Sequence, residues 1–451
     1  MEKKIRTAFV CTNCGAIHPK WQGQCKDCGE WNRLAEERII EPGRKSRKAP
    51  VEKPQKLHEI DNNLLIGFES GMREFDRVLG GGLLPGSTVL LAGEPGIGKS
   101  TLILEAADAY SERGWHVLYI TGEESLAQIK KRAERLSVAG GNVDFVNLTD
   151  LGQILAVMED ARYQIVIMDS IQTVSSGYFD SPPGTIGQIR ESAGKMIELA
   201  KKQNSSLILI GHVTKEGLVA GPKILEHMVD AVISFEGDSQ HLYRILRPMK
   251  NRYGSTLELG IFEMSQSGLR EVENPSSLFL SGYEGVSRSG SVVAASCEGN
   301  RPILIEIQAL VASASYGTPQ RVAGGIDNKR LALLLAILEK RVGVPMGGND
   351  VFVSIAGGLR LNEPAIDLAV LSAIVSSWRD IPIDAKTVVA GEVGLSGEVR
   401  PISLVDQRIA EASKLGFGRI IIPQQNINEK SGGNIESMGV ATLEKALELL
   451  F

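Results

Sequence analysis

The hydrophobic and polar positions of this chain alternate in a way that predicts an α/β core in its middle. Between about residues 58 and 274, short apolar runs of strand length are mostly separated by stretches of helical length. This alternation predicts a mainly parallel sheet with helices on its faces, because strands buried on both faces are continuously apolar. The predicted strands are Thr88–Ala92, Val117–Thr121, Val143–Asn147, Gln164–Asp169, Ser206–Gly211 and Ala231–Glu236.

The segments on either side of this core have different patterns. Residues 275–451 predict an α+β domain that opens with two strands and continues with helices and further strands. Residues 36–57 are polar, contain three prolines and carry the basic run Arg44–Lys48, so we expect a flexible linker. The pattern leaves open whether this linker is a solvated tether or touches DNA. Residues 1–35 form a separate small module.

Length and charge limit the functional classes. A chain of 451 residues is too long for one core, and a net charge of -5 gives no general argument for nucleic-acid binding. Any contact with a polyanion must therefore come from local basic patches. No segment has the pattern of a signal peptide or a membrane span, and we expect a cytoplasmic protein without membrane contacts.

Four of the five cysteines lie within the first 28 residues, as Cys11-x-x-Cys14 and Cys25-x-x-Cys28. Two such pairs, each followed by glycine, predict a structural Zn²⁺ site with four thiolate ligands, and the alternatives are a redox dithiol or an iron–sulfur site. A module this short has too little core of its own, so metal binding supplies its folding energy. His18 lies between the pairs and is interpreted as a bystander, and Cys297 as a buried core residue.

The segment Gly93-Glu94-Pro95-Gly96-Ile97-Gly98-Lys99-Ser100-Thr101 matches the phosphate-binding pattern G-x-x-x-x-G-K-[ST]. An apolar strand precedes it and a helix follows, as this loop requires. Its backbone N–H groups and the helix N-terminus attract polyphosphate, Lys99 is expected at the β- and γ-phosphates, and Ser100 at Mg²⁺. The sequence therefore predicts binding of ATP and ADP with Mg²⁺.

Polar residues at three strand ends complete the predicted nucleotide site. Asp169 ends an apolar strand and is expected to hold the Mg²⁺ shell, as in a Walker B motif. Glu123 and Glu124 follow another strand. We favour Glu123 as the base that activates water, while either glutamate is also suited to a helix N-terminus. His212 follows a further strand and is expected to sense the γ-phosphate, with a capping role as the alternative.

Two glycine-containing segments follow these strand ends, at Ser175–Gly187 and Val213–Pro222. Their composition is typical of mobile loops. We expect them to grip a partner in one nucleotide state.

The central region resembles the RecA/DnaB class of ring- and filament-forming ATPases, and its lead-in Ser70–Ser87 is similar to that of RadA/Sms and KaiC relatives. The pentapeptide Lys250-Asn251-Arg252-Tyr253-Gly254 resembles the KNRFG motif of the RadA/Sms family, with tyrosine for phenylalanine. The resemblance implies that Lys250 and Arg252 reach the nucleotide of a neighbouring subunit. Both residues are expected just after a predicted strand, Leu242–Arg247, and facing away from their own phosphate loop; a basic β-turn is the alternative.

The end of the chain resembles the proteolytic domain of Lon. The segment Gly357–Ala365 tracks the loop that carries Lon's nucleophile, yet Ala365 stands where Lon has serine. After the matching segment Ala390–Ile402, Asp406 aligns with the catalytic lysine. An inactive protease-like scaffold is expected, because a methyl group cannot attack a carbonyl and a carboxylate cannot replace the amine base. The candidates for phosphate contacts, with ordinary surface charge as the alternative for each, are Lys329, Arg330, Lys340, Arg341, Arg360 and Arg400.

The resemblance covers essentially the whole chain, in four segments: ribbon 1–35, linker 36–57, RecA-like ATPase 58–274 and Lon-like domain 275–451. It implies a DNA-dependent ATPase of recombinational repair that forms a homo-oligomeric, hexameric ring. The implied partners are single-stranded and branched DNA and the RecA recombinase, and the implied activity is branch migration. The alternatives are a KaiC-like signalling ATPase, an ATP-dependent peptidase and a nucleotide-gated DNA clamp.

Overall fold

The computed structural model describes residues 4–41, 56, 67–160, 162–212, 222–237, 243–280, 286–314, 317–359, 361–427 and 435–451. The chain divides into two compact units, Met1–Glu271 and Val272–Phe451. Most of the predicted linker, its basic run Arg44–Lys48, most of the predicted loop Val213–Pro222, and Arg360 lie outside the described residues. Within the described residues, no helix has the length and apolar content needed to cross a membrane.

The N-terminal module is a three-stranded antiparallel sheet of order β2-β1-β3. Its strands are β1 (Lys4–Cys11), β2 (Ile17–His18) and β3 (Leu34–Glu41). β3 continues six residues into the segment predicted as linker, because β1 pairs with it along its whole length, from Cys11 opposite Leu34 to Lys4 opposite Glu41. The polar pattern of residues 36–41 suits this small sheet, although it lacks the apolar periodicity that marks a core strand.

The ATPase-like core of the first unit alternates strands and helices as predicted. A nine-stranded sheet has the order β12-β11-β10-β9-β4-β8-β7-β5-β6. The strands from β9 to β6 in this order are parallel, and the three at the other edge are antiparallel. The elements are α1 (Arg73–Leu79), β4 (Thr88–Gly93), α2 (Lys99–Glu112), β5 (Val117–Thr121), α3 (Leu126–Leu136), β6 (Val143–Asn147), α4 (Leu151–Met158), β7 (Ile165–Asp169), α5 (Ile186–Gln203), β8 (Ser206–His212), α6 (Pro222–Met228), β9 (Ala231–Glu236), β10 (Tyr243–Asn251), β11 (Gly260–Ser265) and β12 (Gly268–Glu271).

Each face of this sheet packs its own apolar cluster. Leu91, Ile103 and Ile167 belong to one cluster, and Leu90, Met168 and Met196 belong to the other. Successive residues of β4 and β7 therefore enter opposite clusters, which is why these strands are continuously apolar in sequence. The predicted α/β class is confirmed.

One predicted strand end is wrong. The pattern predicts a strand over 242–247 with Lys250 beyond it, but β10 continues to Asn251. Its pairing with β9 shifts register between Pro248 and Lys250 and ends with Asn251 opposite Ala231. This irregularity interrupts the period-2 pattern, so the last residues of the strand resemble a turn in sequence.

The second unit is built around a mixed seven-stranded sheet of order β15-β16-β14-β13-β17-β20-β21. The predicted helix at Lys329–Arg341 is present as α8 and a following single π-helical turn, Leu338–Val342. The elements are α7 (Pro275–Phe279), β13 (Ser291–Glu298), β14 (Arg301–Ser313), β15 (Arg321–Gly324), α8 (Asn328–Ile337), β16 (Asn349–Ile355), α9 (Asp367–Arg379), β17 (Thr387–Val389), β18 (Glu392–Val393), β19 (Val399–Arg400), α10 (Val405–Lys414), β20 (Arg419–Pro423), β21 (Glu436–Val440) and α11 (Leu443–Leu450). The most buried helix is α9, whose residues 367–376 are all inaccessible to solvent.

Candidate functional site

The four N-terminal cysteines converge on one point. The Sγ atoms of Cys11 and Cys28 are 3.7 Å apart, those of Cys14 and Cys25 are 3.5 Å apart, and all four lie within 4.8 Å of one another. Tetrahedral zinc with Zn–S bonds of about 2.3 Å separates its sulfurs by about 3.8 Å. The ligand set therefore fits zinc with no position left for a substrate.

Local turns explain how so short a segment arranges these sulfurs. Gly15 and Gly29 both have left-handed φ angles, of 66° and 74°. Their N–H groups donate to the carbonyls of Cys11 and Cys25, at 2.7 and 2.9 Å. Each Cys-x-x-Cys pair thus closes a tight turn at the position where glycine avoids steric cost.

His18 lies beside the zinc centre. Its Nε2 is 3.4 Å from the Sγ of Cys25 and 3.4 Å from a carboxylate oxygen of Asp27, and its Nδ1 is 3.1 Å from Gln22 Nε2. This placement makes the imidazole a hydrogen-bonding neighbour of a cysteine ligand, a common arrangement around metal sites. The described geometry assembles the four thiolates without it.

The phosphate-binding loop joins β4 to α2, and it needs glycine at defined points. A Cβ at Gly93 would lie 2.5 Å from the carbonyl oxygen of Phe235, and one at Gly98 would lie 2.7 Å from Met264 Cε. Gly96 and Gly98 also have φ angles of 78° and 113°, which side chains of L-residues rarely adopt. The loop is therefore closely packed against its neighbours on β9 and β11.

Lys99 is the first residue of α2 and is buried. Its ammonium group donates to the carbonyl oxygens of Gly93 and Glu94, both at 2.8 Å. Burial lowers the pKa of Lys99 to about 8, although Asp169, Glu123 and Glu94 act in the opposite direction. A desolvated cation held by weak neutral acceptors is suited to exchange them for phosphate oxygens.

Asp169 ends β7 and is 6% exposed. One carboxylate oxygen accepts a hydrogen bond from the Tyr119 hydroxyl at 2.8 Å. The other is buried, and no donor within the described part of the chain reaches it with hydrogen-bond geometry. Burial raises the pKa of Asp169, and Ser100 and Tyr119 oppose that shift. A buried carboxylate oxygen left free near Ser100 fits a hard cation such as Mg²⁺.

Glu123 and Glu124 follow β5, but their side chains have different partners. Glu124 forms an ion pair with Arg132 of α3. Glu123 accepts hydrogen bonds from the Ser170 hydroxyl and from His212 Nε2, the latter at 2.9 Å. The hydrogen bond from His212, followed by those of Ser170 and the charge of Lys99, lowers the pKa of Glu123 to about 2, against the effect of burial. Glu123 is thus an ionised carboxylate within the charged group formed by Lys99 and Asp169.

A close approach of two strand ends places Glu123 beside Ser170. Gly122 donates its N–H to the Asp169 carbonyl at 2.8 Å. A Cβ at Gly122 would lie 1.9 Å from the Thr173 hydroxyl, whose own hydrogen bond goes to the Ser170 carbonyl. A side chain at position 122 would collide with Thr173 in the turn that follows β7, so glycine suits this position.

The five residues of the pentapeptide have separate partners. Lys250 donates to the carbonyls of Glu226 and Val229 at 2.6 and 2.8 Å, and Asn251 donates to the carbonyls of Val78 and Leu79 at the end of α1. Arg252 Nη1 lies 3.3 Å from Oδ1 of the buried Asp230, although the arginine side chain is 56% exposed. Tyr253 is exposed, and a Cβ at Gly254 would lie 2.9 Å from the Gly80 Cα.

This pentapeptide lies near the amino ends of the parallel strands, whereas the phosphate loop lies at their carboxyl ends. Ala231, opposite Asn251, pairs with Val89 near the start of β4, whereas the loop begins at Gly93. Four residues of extended strand span about 13 Å. The structure thus brings together Lys99, Ser100, Glu123, Asp169 and His212, but it keeps Lys250 and Arg252 away from them.

Sequence reasoning missed three side chains around the nucleotide site. Tyr119 orients Asp169, Ser170 binds Glu123, and the buried Arg244 of β10 donates to the carbonyl of Ile97 in the phosphate loop at 3.0 Å. Ser170 directly follows the Walker B aspartate and was the easiest to find. Tyr119 and Arg244 lie in strands whose apolar and polar patterns do not reveal a partner in another strand.

In the second unit, the region that resembles Lon's active site is filled with paired charges. Ala365 is 3% exposed and begins, with Pro364, a 3₁₀ turn before α9. Glu363 forms an ion pair with the fully buried Arg408 and accepts the Cys297 N–H at 2.6 Å. Asp406 is exposed on α10, two residues before Arg408. The residue that replaces the nucleophile, Ala365, is therefore buried next to the ion pair of Glu363 and Arg408.

Three family models match parts of the chain. Residues 58–217 match the model described as an AAA domain, residues 9–36 the rubredoxin metal binding domain, and residues 327–426 the subunit ChlI of Mg-chelatase. The first two cover the phosphate loop and the four cysteines described above, and they support a nucleotide-hydrolysing domain and a zinc ribbon.

Curated relatives align with the whole chain. "DNA repair protein RadA" of Halalkalibacterium halodurans is 46% identical over 453 residues, which is 99% of this chain and 99% of the relative. The protein of the same name from Bacillus subtilis is 46% identical, with 98% of each chain covered, and that from Escherichia coli is 43% identical, covering 100% of this chain and 99% of the relative.

Among solved structures, the flagellar accessory protein FlaH from Methanocaldococcus jannaschii aligns with 46% of this chain and 99% of its own. The sequence identity is 15% and the TM-score is 0.37. A similarity this low supports no inference about function.

Proposed function

This chain belongs to the RadA family of DNA repair proteins, and from that premise we propose that it is a DNA-dependent ATPase that moves along single-stranded DNA. Its ATP site, its zinc ribbon and its Lon-like unit follow the family order from end to end. We place its work in the cytoplasm, on branched recombination intermediates, where it extends heteroduplex by branch migration alongside the RecA recombinase. The functional unit is a hexameric ring.

Within one subunit, the proposed chemistry starts from the charged group at the carboxyl edge of the sheet. Lys99 exchanges its two backbone carbonyls for the β- and γ-phosphates, and Ser100 and Asp169 would hold Mg²⁺. The metal, when bound, neutralises charge on the phosphates. Glu123 is ionised, and it accepts a proton from the water aligned with the γ-phosphate. Only a deprotonated carboxylate can act as this base. His212 links that carboxylate to the end of β8, from which the segment 213–222 departs.

The observation that carries the proposal is the distance between the pentapeptide and its own phosphate loop. Lys250 and Arg252 lie at the far edge of the sheet, so within one chain they have no access to the γ-phosphate. A ring brings the far edge of one subunit to the nucleotide of the next. There Arg252, which is half-exposed, is the cation that stabilises transition-state charge in trans, a role worth about 10³–10⁵ in rate in other phosphoryl-transfer proteins.

The two pentapeptide cations have different parts in this proposal. The ammonium group of Lys250 is committed to two carbonyls at the end of α6, and burial followed by the charge of Arg252 lowers its pKa. Lys250 therefore fixes the end of β10, and Arg252 extends from that fixed end. Asp230 holds Arg252 until a neighbouring phosphate competes for it.

The test combines two variants that are each inactive. Lys99→Ala removes the phosphate contact, and Arg252→Ala removes the trans cation while ATP binding remains. We expect each variant, assayed by itself, to lose DNA-stimulated turnover. A mixture should recover part of it, because some seams then pair an intact loop with an intact Arg252. Turnover at the wild-type rate by Arg252→Ala alone, or no recovery on mixing while both variants assemble, would overturn the assignment in trans.

DNA dependence is tested separately, with single-stranded and forked oligonucleotides over a salt series. A protein that grips phosphates should show stimulation that declines steeply as salt rises. Addition to a RecA strand-exchange reaction should then lengthen heteroduplex only when ATP is hydrolysed. A nucleotide-gated clamp would bind the same DNA with negligible turnover, and a KaiC-like ATPase would ignore it.

A further inference from the structure

The zinc ribbon displays an aromatic surface that neither its metal site nor its fold requires. Trp21 and Trp31 are 58% and 65% exposed, and the nearby Ile17 is 44% exposed. The ribbon's own core, around Cys11, Ala16, Cys25 and Leu34, is complete without them. Two large indoles left in water on so small a module indicate a binding surface.

The backbone holds one of these rings in place. A Cβ at Gly23 would lie 3.4 and 3.6 Å from two ring carbons of Trp31, so the indole rests against a backbone that has no side chain there. Asn32 donates its N–H to the Gly23 carbonyl at 2.7 Å, which ties the residue after Trp31 to the segment after Trp21. The two tryptophans therefore flank one closed turn, and little ring freedom is lost when a ligand stacks on Trp31.

The charges around these rings favour a polyanion. Lys20 directly precedes Trp21, Arg33 follows Trp31 by two residues, and Lys26 lies in the second cysteine turn, all three exposed. Between Lys20 and Arg33 the exposed carboxylates are Asp27, which lies 3.4 Å from His18, and Glu30. Interleaved aromatic rings and cations are the composition of surfaces that bind single-stranded nucleic acid, whereas lysine is depleted in protein–protein interfaces.

The ribbon also packs on the segment that follows the Walker B strand. Ala8 and Val10 of β1 pack with Phe179, and Ser181 donates a hydrogen bond to Glu37 of β3 at 3.2 Å. Arg190 of α5 donates to the carbonyl of Cys14 at 3.3 Å. The aromatic surface is thereby attached to the loop Ser175–Gly187, which leaves the same sheet edge as the nucleotide site.

We propose that Trp21 and Trp31, with Lys20 and Arg33, form a stacking platform for the bases of single-stranded DNA on the zinc ribbon. This inference rests on the proposed DNA-dependent function and assigns part of the DNA contact to the ribbon. Bases stack on the indoles, and the flanking cations pair with the phosphates. The platform has no sequence preference, because every base offers a π-face.

The test measures binding of a fluorescein-labelled oligo(dT) to the full-length protein by anisotropy, with ADP, with a non-hydrolysable ATP analogue and without nucleotide. Trp21→Ala and Trp31→Ala should each weaken binding about 10-fold, and the double variant more. The salt slope should stay unchanged, because no phosphate contact is removed. Lys20→Ala with Arg33→Ala should reduce that slope. Trp21→Phe with Trp31→Phe should retain most of the affinity.

Trp378→Ala is the matched control, since Trp378 is a partly exposed tryptophan of the second unit, at 39%. Zinc content close to one ion per chain in each variant shows that the ribbon remains folded. Oligo(dT) binding by the double variant within twofold of wild type overturns the platform, and points to a protein partner for the same rings. A wild-type protein that fails to bind any DNA overturns the proposed function instead.

Discussion

The two units of this chain both bury carboxylates beside cations at strand or helix ends, and they treat them in opposite ways. In the first unit, one buried oxygen of Asp169 accepts no hydrogen bond of good geometry from the described residues, and Lys99 donates to two neutral carbonyls. In the second unit, the carboxylates of Asp367 and Glu363 are paired with arginines. Asp367 accepts two hydrogen bonds from Arg330 and one from the Val393 N–H.

The same contrast holds for Glu363. Its two oxygens receive Arg408, the Ser296 hydroxyl and the Cys297 N–H, and Arg408 also donates to the carbonyls of Ala295 and Ser403. A buried polar group that is fully paired stabilises one arrangement, whereas one that lacks a partner is available to a ligand. The incompletely paired carboxylate of the first unit is therefore the one open to a ligand, whereas these charges of the Lon-like unit are paired with each other.

The largest expected effect comes from removing the cation of the nucleotide site, which we call the open site because Lys99 and Asp169 form no ion pair among the residues that the structure describes. Lys99→Ala should lower ATP turnover by about 10³-fold, because a preorganised charge aimed at the phosphates is lost. Steady-state phosphate release measures it. Lys195→Ala, which removes an exposed lysine paired with Glu198 on α5, is the control and should leave turnover unchanged. Turnover of Lys99→Ala within tenfold of wild type would contradict this placement of the phosphates.

In the second unit we call the ion pair of Arg408 with Glu363 the closed site. Removing its cation should lower the stability of the protein and not its turnover. Arg408→Ala leaves Glu363 buried without its partner and should cost about 3–5 kcal/mol in the free energy of unfolding. Denaturant unfolding followed by circular dichroism measures it. Arg400→Ala is the control, because this exposed arginine pairs with Glu398 in water and its loss should leave the free energy of unfolding nearly unchanged. Equal losses for the two variants would show that burial of the Arg408 pair is unimportant.

The two adjacent glutamates allow a matched comparison within the open site. Glu123→Gln should lower kcat by about 10²-fold with little change in ATP affinity, because the amide cannot take a proton from water. Glu124→Gln loses the ion pair with Arg132 and should keep turnover within a fewfold of wild type. The assignment of the base fails if the second variant is the inactive one. Single-turnover hydrolysis and equilibrium ATP binding separate the two quantities.

Ser170 should have a smaller effect, through Glu123. Ser170→Ala should lower kcat by about tenfold at unchanged KM, since a general base contributes through its placement. Loss of this hydrogen bond raises the pKa of Glu123 from about 2. The base is active when deprotonated, so the acid limb of the pH profile should move to higher pH. Ser170→Thr should restore both values.

Ser192→Ala is the control for Ser170, because Ser192 is a buried serine whose hydroxyl has no partner among the described residues. It should change neither kcat nor the pH profile. An unmoved acid limb in Ser170→Ala, together with a lower kcat, would assign the serine a structural role only.

The smallest expected effect is none at all. Ala365→Ser restores the hydroxyl that Lon carries, yet it should give no cleavage of unfolded casein, with or without ATP. The position is 3% exposed, and Arg408, the nearby buried cation on α10, is committed to Glu363 and cannot act as an amine base. Casein cleavage above the wild-type background would show that the closed cluster opens.

The sequence by itself determined the elements that depend on local pattern. The phosphate loop, the four zinc ligands and the six parallel strands were all predicted, because loop glycines, cysteine spacing and apolar runs are contiguous along the chain. The replacement of Lon's serine by Ala365 was also visible, since it concerns one position within a matching segment. The same locality explains the error at β10, where a shift of register removed the pattern on which the prediction relied.

Tertiary structure decided which of these residues meet. It brought Glu123 into hydrogen bonds with Ser170 and His212, and Glu124 into an ion pair with Arg132. It also showed that Tyr119 donates a hydrogen bond to Asp169 and that Arg408 pairs with Glu363. These partners are 8 to 89 residues apart in sequence. They come together because elements that pack against each other belong to separate segments of the chain, and no pattern within one element records its neighbour. Whether a buried charge is paired or left open, and so whether it supports structure or chemistry, is settled at that level.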